Sequence, residues 1–129
     1  MNRQNASSCG IKNEKPQPDM KPEELIDIQL GFYNALDTEG FLSTYAEGIE
    51  LFTWGKPVPD TVGLEQMRLK YGIAFQDKTR RASILKRIVI GNKVIDEEFI
   101  ETSGGKNFKA IALYEIENDK IRRVTFIRN

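Results

Sequence analysis

The sequence contains no histidine and a single cysteine, Cys9. Without histidine, the chain cannot use Ser-His-Asp or Cys-His catalysis, and it cannot bind a metal through imidazole. One cysteine allows neither an internal disulfide nor a cysteine-rich zinc site. Any acid–base chemistry must therefore come from carboxylates, tyrosines or lysines, and we expect no metal site and no cofactor.

Net charge and long apolar runs are also missing. The 19 basic residues balance the 19 acidic ones, so no overall field favours nucleic acid or an anionic membrane. No apolar run approaches the roughly 18 residues that a membrane-spanning helix needs. A chain of 129 residues, 40% hydrophobic and 29% charged, fits one ordinary domain. We expect a cytoplasmic protein that binds no nucleic acid and spans no membrane.

Residues 1–21 are polar, contain two prolines and show no hydrophobic periodicity, which predicts a disordered N-terminal tail. The segment SSCG around Cys9 faintly resembles the modification site of a bacterial lipoprotein. Such a site follows an apolar segment, and MNRQNASS is not apolar. A lipoprotein anchored at Cys9 is the alternative that would hold if the true start lay upstream.

Residues 22–129 are predicted to form one domain that begins with three helices. The first starts at Pro22, a favoured first-turn residue. Its predicted apolar stripe includes Leu25, Ile28 and Phe32. Thr38 and Thr61 are the predicted caps of the second and third helices.

Strand periodicity marks residues 48–54 and then dominates after residue 81. Two-residue turn signals, Gly91–Asn92 and Asn118–Asp119, predict hairpins, and SGGK at 103–106 is a looser one. Helices followed by an antiparallel meander predict an α+β domain, with the helices on one face of a curved sheet.

Several segments together resemble the SnoaL-like branch of the nuclear-transport-factor-2-like superfamily. They are FYNALDTEGFLSTYAEGIELFTW, GLEQMRLKYG, RIVIGNKVIDEEFIE and AIALYEIENDKIRRVTFIR. The resemblance covers about residues 22–128. It implies a cone, in which a strongly curved antiparallel sheet wraps around three helices and a pocket opens at the wide end. The superfamily includes steroid isomerases, polyketide cyclases, dehydratases and non-catalytic domains, so the fold alone does not select a function.

Two alanines, Ala110 and Ala112, occupy one face of a predicted strand where larger residues usually fill a core. The resemblance implies that alternate residues of this strand face the cavity of the cone. The missing side-chain volume would then be ligand volume. The alternative is close packing of a helix against the strand at Gly31 or Ala35.

The ketosteroid isomerases of this superfamily use a Tyr, a basic Asp and a protonated Asp, a known example of pKa tuning. Matching the segments places Gln29, Thr53 and Ala112 at these three positions, so all three chemical groups are absent. The resemblance therefore excludes a ketosteroid isomerase of that mechanism. Tyr33 lies one helical turn after Gln29 and points the same way. Gln29, Tyr33 and Thr53 are the predicted ligand-orienting residues.

Three consecutive carboxylates, Asp96, Glu97 and Glu98, lie in a predicted central strand. Alternation places Asp96 and Glu98 on one face and Glu97 on the other. A carboxylate in an apolar cavity has a raised pKa, which suits acid–base catalysis. The irregular loop TSGGKN leaves the register of this strand open, and with it which of the three carboxylates faces the pocket. We assign the role to Asp96, because by analogy it lies deep in the cone. The alternative is a solvated face on which all three are wet.

Aromatic residues are predicted to form a rim for the pocket. They are Phe52, Trp54, Tyr114 and Phe126, with plain core packing as the alternative. The arginine-rich segments 77–87 and 120–128 are predicted to be solvated, with outward arginines paired to neighbouring acids.

These observations predict a small-molecule pocket protein of the SnoaL-like type that binds a largely apolar or amphipathic ligand. If the protein is an enzyme, we expect a cofactor-free isomerase, cyclase or lyase that uses carboxylate chemistry. The alternative is a non-catalytic dimeric module with an apolar outer sheet face that includes Ile111, Leu113 and Ile127. In either case a homodimer is expected, because three helices cannot cover both faces of the sheet.

Overall fold

The computed structural model describes residues 20–128. Along the chain, the elements are α1 (Pro22–Asn34), α2 (Thr38–Leu42), β1 (Tyr45–Thr53), β2 (Thr61–Val62), α3 (Gly63–Ala74), β3 (Arg81–Ile90), β4 (Lys93–Glu101), a 3-10 turn (Ser103–Gly105), β5 (Phe108–Glu117) and β6 (Lys120–Ile127). The predicted tail falls mainly on residues 1–19, which lie outside the described residues. Met20 packs against the core, and the Lys21 N–H donates to the Glu24 carboxylate at 2.9 Å.

The first helix begins at Pro22 as predicted, but its buried face is rotated from the predicted stripe. Ile28 is 44% exposed, whereas the neighbouring positions Gln29 and Tyr33 are buried. Gln29 and Tyr33 both line an interior cavity, so polar side chains take inward positions on this helix. Helix α1 therefore contributes polar groups to the interior of the protein.

Both threonines predicted as caps are displaced from that role. Helix α2 is capped by Asp37, whose carboxylate accepts a hydrogen bond from the Gly40 N–H at 3.0 Å. Aspartate, a strong N-cap, precedes Thr38 by one residue and takes the position. Thr61 pairs with Leu51 in the short strand β2, a position that suits a β-branched residue.

A six-stranded sheet with the order β2-β1-β6-β5-β4-β3 forms the rest of the fold. Strands β3 to β6 make the predicted antiparallel meander, and β2 is antiparallel to β1. However, β1 is parallel to β6, with Leu51 opposite Val124, so the predicted antiparallel sheet carries one parallel pair and is mixed. A parallel pair needs a long crossover. The chain between β1 and β6 supplies that crossover, and local patterns do not reveal it.

Turns and bulges shape the sheet. Asn118 and Asp119 have φ angles of 54° and 60°, which is the backbone of a type I′ hairpin turn. Leu85 is an extra residue in β3, because Ile84 lies opposite Glu98 and Lys86 opposite Glu97. Such bulges bend a strand and increase its twist, so they contribute to the curvature of the sheet.

The helices lie against the inner face of the curved sheet and form the core with it. The outer face carries an apolar row in which side chains pair across neighbouring strands. This row consists of Ile88, Ile95, Leu113 and Phe52, with Thr125 between the last two. Within residues 20–128, no helix has the length and apolar character needed to cross a membrane.

Candidate functional site

A cavity of about 400 Å³ lies between the inner face of the sheet and the helices. Its walls are mainly apolar, and the aromatic members are Tyr33, Phe41, Tyr45, Tyr71, Phe108, Tyr114 and Phe126. Its polar groups are Gln29, Lys70, Arg80, Glu98 and Arg128. A mostly apolar cavity with a few polar groups has the character of a small-molecule site.

Five residues proposed from the sequence as pocket residues line this cavity: Gln29, Tyr33, Ala110, Tyr114 and Phe126. Thr53 and Trp54 instead line a separate shallow depression. The Thr53 hydroxyl donates to the Asp60 carboxylate, and Trp54 is 67% exposed. Both residues lie where β1 ends, beyond the part of the strand that faces the helices.

The two alanines of β5 have different surroundings. Ala110 lies opposite Glu98 in the sheet and lines the cavity. Ala112 lies opposite Asp96, is fully buried and packs within the hydrophobic core. A side chain added at Gly31 would meet no atom within 4 Å. Neither alanine therefore packs closely against Gly31. The space beside the small side chain of Ala110 is part of the cavity, whereas Ala112 is surrounded by the core.

The Asp96 carboxylate, assigned from the sequence as the acid or base, is engaged by Arg87. The Arg87 Nε donates to Asp96 Oδ1 at 2.7 Å, and its Nη2 donates to Oδ2 at 2.9 Å. Arg87 Nη1 also donates to Asp27 of α1 at 2.8 Å. Asp96 is fully buried and does not line the cavity. We therefore interpret Asp96 as a structural anchor, and Glu98 takes its place as the candidate acid or base.

Glu98 is the acid that faces the cavity, two residues further along β4. It is 8% exposed, and the Tyr114 hydroxyl donates to its Oε2 at 2.8 Å. Burial raises the pKa of Glu98 to about 7; the Tyr114 hydrogen bond opposes this rise, and the nearby Asp96 adds to it. Alternation along β4 buries Val94, Asp96, Glu98 and Ile100. A carboxyl group with this pKa can both give and take a proton near neutral pH.

The other hydrogen bonds of the cavity orient tyrosine hydroxyls. Gln29 Nε2 donates to the Tyr45 hydroxyl at 2.8 Å, and Arg80 Nη1 donates to the Tyr33 hydroxyl at 2.9 Å. Burial is the main cause that raises the pKa of Tyr45 and of Tyr33. Both phenols therefore stay protonated, and each can donate its hydrogen bond to a ligand.

Sequence reasoning did not find the basic residues of the cavity. Arg122 and Arg123 do pair with Glu115 and Glu50 on the outer face, in line with the expected solvated arginines. In contrast, Arg80 and Arg128 line the cavity. Each lies just outside a strand, before β3 or after β6, where alternation no longer assigns a face.

Neither a protein-family model nor a curated protein matches the sequence. Solved structures do resemble the chain. A cystatin-fold protein from Novosphingobium aromaticivorans is 26% identical with a TM-score of 0.76, over 84% of this chain and 99% of that one. An NTF2-like protein of unknown function from Cytophaga hutchinsonii is 17% identical with a TM-score of 0.72, over 88% and 94% of the two chains. A proposed polyketide cyclase from Sinorhizobium meliloti is 13% identical with a TM-score of 0.68, over 83% and 99%.

The role of Arg87 leads to a stability prediction. Arg87→Met leaves the Asp96 charge buried without its partner, so the free energy of unfolding should fall by about 3 kcal/mol. The double variant Arg87→Met/Asp96→Leu removes both charges and should recover most of this loss. Urea denaturation measures both changes. The control Arg123→Met breaks a half-exposed pair with Glu50 and should cost less than about 1 kcal/mol. An equal loss in the single and double variants would contradict the anchoring role.

The raised pKa of Glu98 predicts a pH-dependent stability. The folded state holds the Glu98 proton up to about pH 7, whereas the ordinary pKa of a glutamate side chain is 4.5. Protonation therefore stabilises the folded state below the unfolded pKa, and this contribution is lost as the pH rises through 7. Between pH 5 and 8, Glu98 should lower the free energy of unfolding by roughly 2 kcal/mol. Denaturation of the wild type and Glu98→Gln at both pH values isolates this loss, and identical pH profiles would disprove the shift.

Proposed function

We propose that the protein binds a small, largely apolar molecule in the cavity. The chain has the cone fold of the nuclear-transport-factor-2-like superfamily, which the resemblance of its sequence to that superfamily predicted. We further propose that it acts on this molecule by acid–base catalysis. One observation carries the proposal: Glu98, with a pKa near 7, lies in an aromatic cavity beside the Tyr114 hydroxyl. Structural anchors do not need a carboxyl group with a near-neutral pKa, whereas proton transfer does.

The proposed chemistry is transfer of a proton next to a carbonyl group. In its ionised form, Glu98 removes the proton from the carbon. The same group then returns it to a second carbon in an isomerisation or to a leaving hydroxyl in a dehydration. In a cyclisation the carbanion bonds to a second carbonyl carbon of the ligand, and Glu98 returns the proton to the alkoxide oxygen that forms there. The phenol of Tyr45 donates a hydrogen bond to the oxygen on which negative charge develops. Isomerisation, cyclisation and dehydration all share this first step, so the proposal covers these three classes of reaction.

The likeness to known structures supports this proposal at the level of the fold. The neighbour from Sinorhizobium meliloti is a proposed polyketide cyclase with the same architecture, and cyclisation belongs to the proposed reaction class. Its identity of 13% leaves residue roles to be argued from this chain alone. The near-neutral Glu98 provides that argument.

Catalysis is testable with a carbon acid that fits an aromatic cavity. We expect the protein to accelerate exchange of the α-hydrogens of 2-tetralone in deuterium oxide, followed by proton NMR. Glu98→Gln should abolish the acceleration, because an amide cannot accept the proton. The control Glu97→Gln changes the adjacent carboxylate, which faces outward and lies 3.9 Å from Lys109, and should leave the rate unchanged. Equal rates in the wild type and Glu98→Gln would refute the catalytic part of the proposal.

Binding is tested separately, through the two alanines. Ala110→Leu places three carbons in the cavity, so it should remove binding of the uncharged fluorescent probe N-phenyl-1-naphthylamine while changing stability by less than about 1 kcal/mol. Ala112→Leu should overpack the core, cost about 1–3 kcal/mol and retain binding. The sequence suggested that Ala112 faces the cavity, but Ala112 does not line it. Unchanged probe binding in Ala110→Leu would show that the ligand site lies elsewhere.

A second candidate function, a dimeric module, is favoured by the apolar row on the outer face. Ile88 in this row is 62% exposed, and rows of exposed apolar side chains mark interaction surfaces. We propose that two copies pair through this face, which is compatible with a functional cavity on the inner side. Sedimentation equilibrium should show a dimer that Ile88→Glu dissociates. The control Leu69→Glu changes a residue of α3 that is 70% exposed and should leave the dimer intact; a wild-type monomer would exclude this pairing.

A further inference from the structure

Three basic side chains converge on one part of the cavity wall: Lys70 of α3, Arg80 before β3 and Arg128 after β6. We call these residues the basic rim. Lys70 and Arg128 are exposed, so the rim lies where the cavity opens to solvent. We propose that the ligand is an organic acid, with an apolar body inside the aromatic cavity and its ionised acid group held by the basic rim. This inference rests on the proposed binding function of the same cavity.

Within residues 20–128, no member of the basic rim forms an ion pair. No carboxylate oxygen in this part of the chain lies within ion-pair distance of Lys70, Arg80 or Arg128. The nearby acids have other partners. Asp60 bonds to Thr53 and Lys56, and Asp77 accepts from Thr79 and the Ser103 N–H. Asp60 favours the charged form of Lys70 without forming an ion pair with it. The mutual repulsion of the three cations is a cost that an anionic ligand would reduce.

Electrostatic effects within the rim show that its members are close enough to interact. Burial is the first cause that lowers the pKa of Lys70; Arg128 and Arg80 lower it further, and Asp60 partly opposes them. Arg128 also favours the ionised form of Glu98. The field of the rim therefore extends to the interior of the cavity. Glu98 is the one acid among the described lining residues, and a single carboxyl group that is half-protonated near pH 7 cannot balance three cations.

The geometry of the two arginines suits an acid group. Arg80 Nη1 is fixed on the Tyr33 hydroxyl, while its Nε is buried and has no hydrogen-bond partner among residues 20–128. A buried donor without a partner is costly unless a ligand or water satisfies it. The Arg128 guanidinium lies 4.7 Å from the ring centre of Phe126, which holds it beside the aromatic wall. Guanidinium groups bind carboxylates through paired hydrogen bonds.

The inference is tested with three probes that share one apolar body: 2-naphthoate, its methyl ester and 2-naphthylmethylammonium. Isothermal titration calorimetry on the full chain should show 2-naphthoate binding at least about tenfold more tightly than the ester, as charged hydrogen bonds provide. The ammonium probe should bind most weakly. Raising the salt concentration should weaken only the naphthoate, because the rim is partly exposed.

Variants of the rim then locate the effect. Arg128→Gln and Lys70→Gln should each weaken naphthoate binding several-fold and leave the ester unchanged, and Arg80→Lys should lose less than Arg80→Gln. The control Lys86→Gln removes an equal charge from an exposed residue of β3 and should change neither affinity. If naphthoate and its ester bind with equal affinity, and Ala110→Leu abolishes the binding of both, the acid preference is overturned but the cavity remains the binding site. Failure of all three probes to bind would overturn both the acid preference and the proposed binding function of the cavity.

Discussion

The paired hydrogen bonds between Arg87 and Asp96 are the constraint on which the interior depends. Asp96 is fully buried, and an ionised carboxylate can remain there because the guanidinium satisfies both of its oxygens. The third contact, from Arg87 to Asp27, links strand β3 to helix α1. One side chain thus compensates the deep charge and also contacts helix α1. This arrangement leaves Glu98 as the carboxyl group in contact with the cavity.

Two carboxylates on the same face of one strand therefore have opposite environments. Asp96 has an arginine partner, whereas Glu98 has a neutral phenol. A phenol stabilises the carboxylate less than a guanidinium does, so desolvation dominates for Glu98 and its pKa is high. The small side chain of Ala110, directly opposite Glu98 in the sheet, leaves space beside the carboxyl group. A reactive group and the room for a ligand thus arise from one pair of neighbouring residues.

The sequence was a good guide to the elements and a poorer guide to their long-range partners. Periodicity and turn residues predicted the helices and the meander, because these depend on nearby positions. The parallel pairing of β1 with β6 joins segments far apart in the chain, which no local pattern encodes. Alternation correctly placed Asp96 and Glu98 on one face. The choice between them required knowledge of Arg87 on another strand, and the basic residues beyond the strand ends had no periodic signal at all.

Because of the bulge at Leu85, the curvature of the sheet can change while the same residues face its interior. Because Ile84 lies opposite Glu98 and Lys86 opposite Glu97, Leu85 is an insertion within an otherwise continuous ladder. Removing it would leave Arg87 opposite Asp96 and restore regular pairing, while the strand lost part of its bend. The bend of β3 can thus change with the length of this strand, without a shift in the pairing that places Arg87 opposite Asp96. A single inserted residue in this chain therefore adjusts the shape of the sheet while the buried ion pair stays in register.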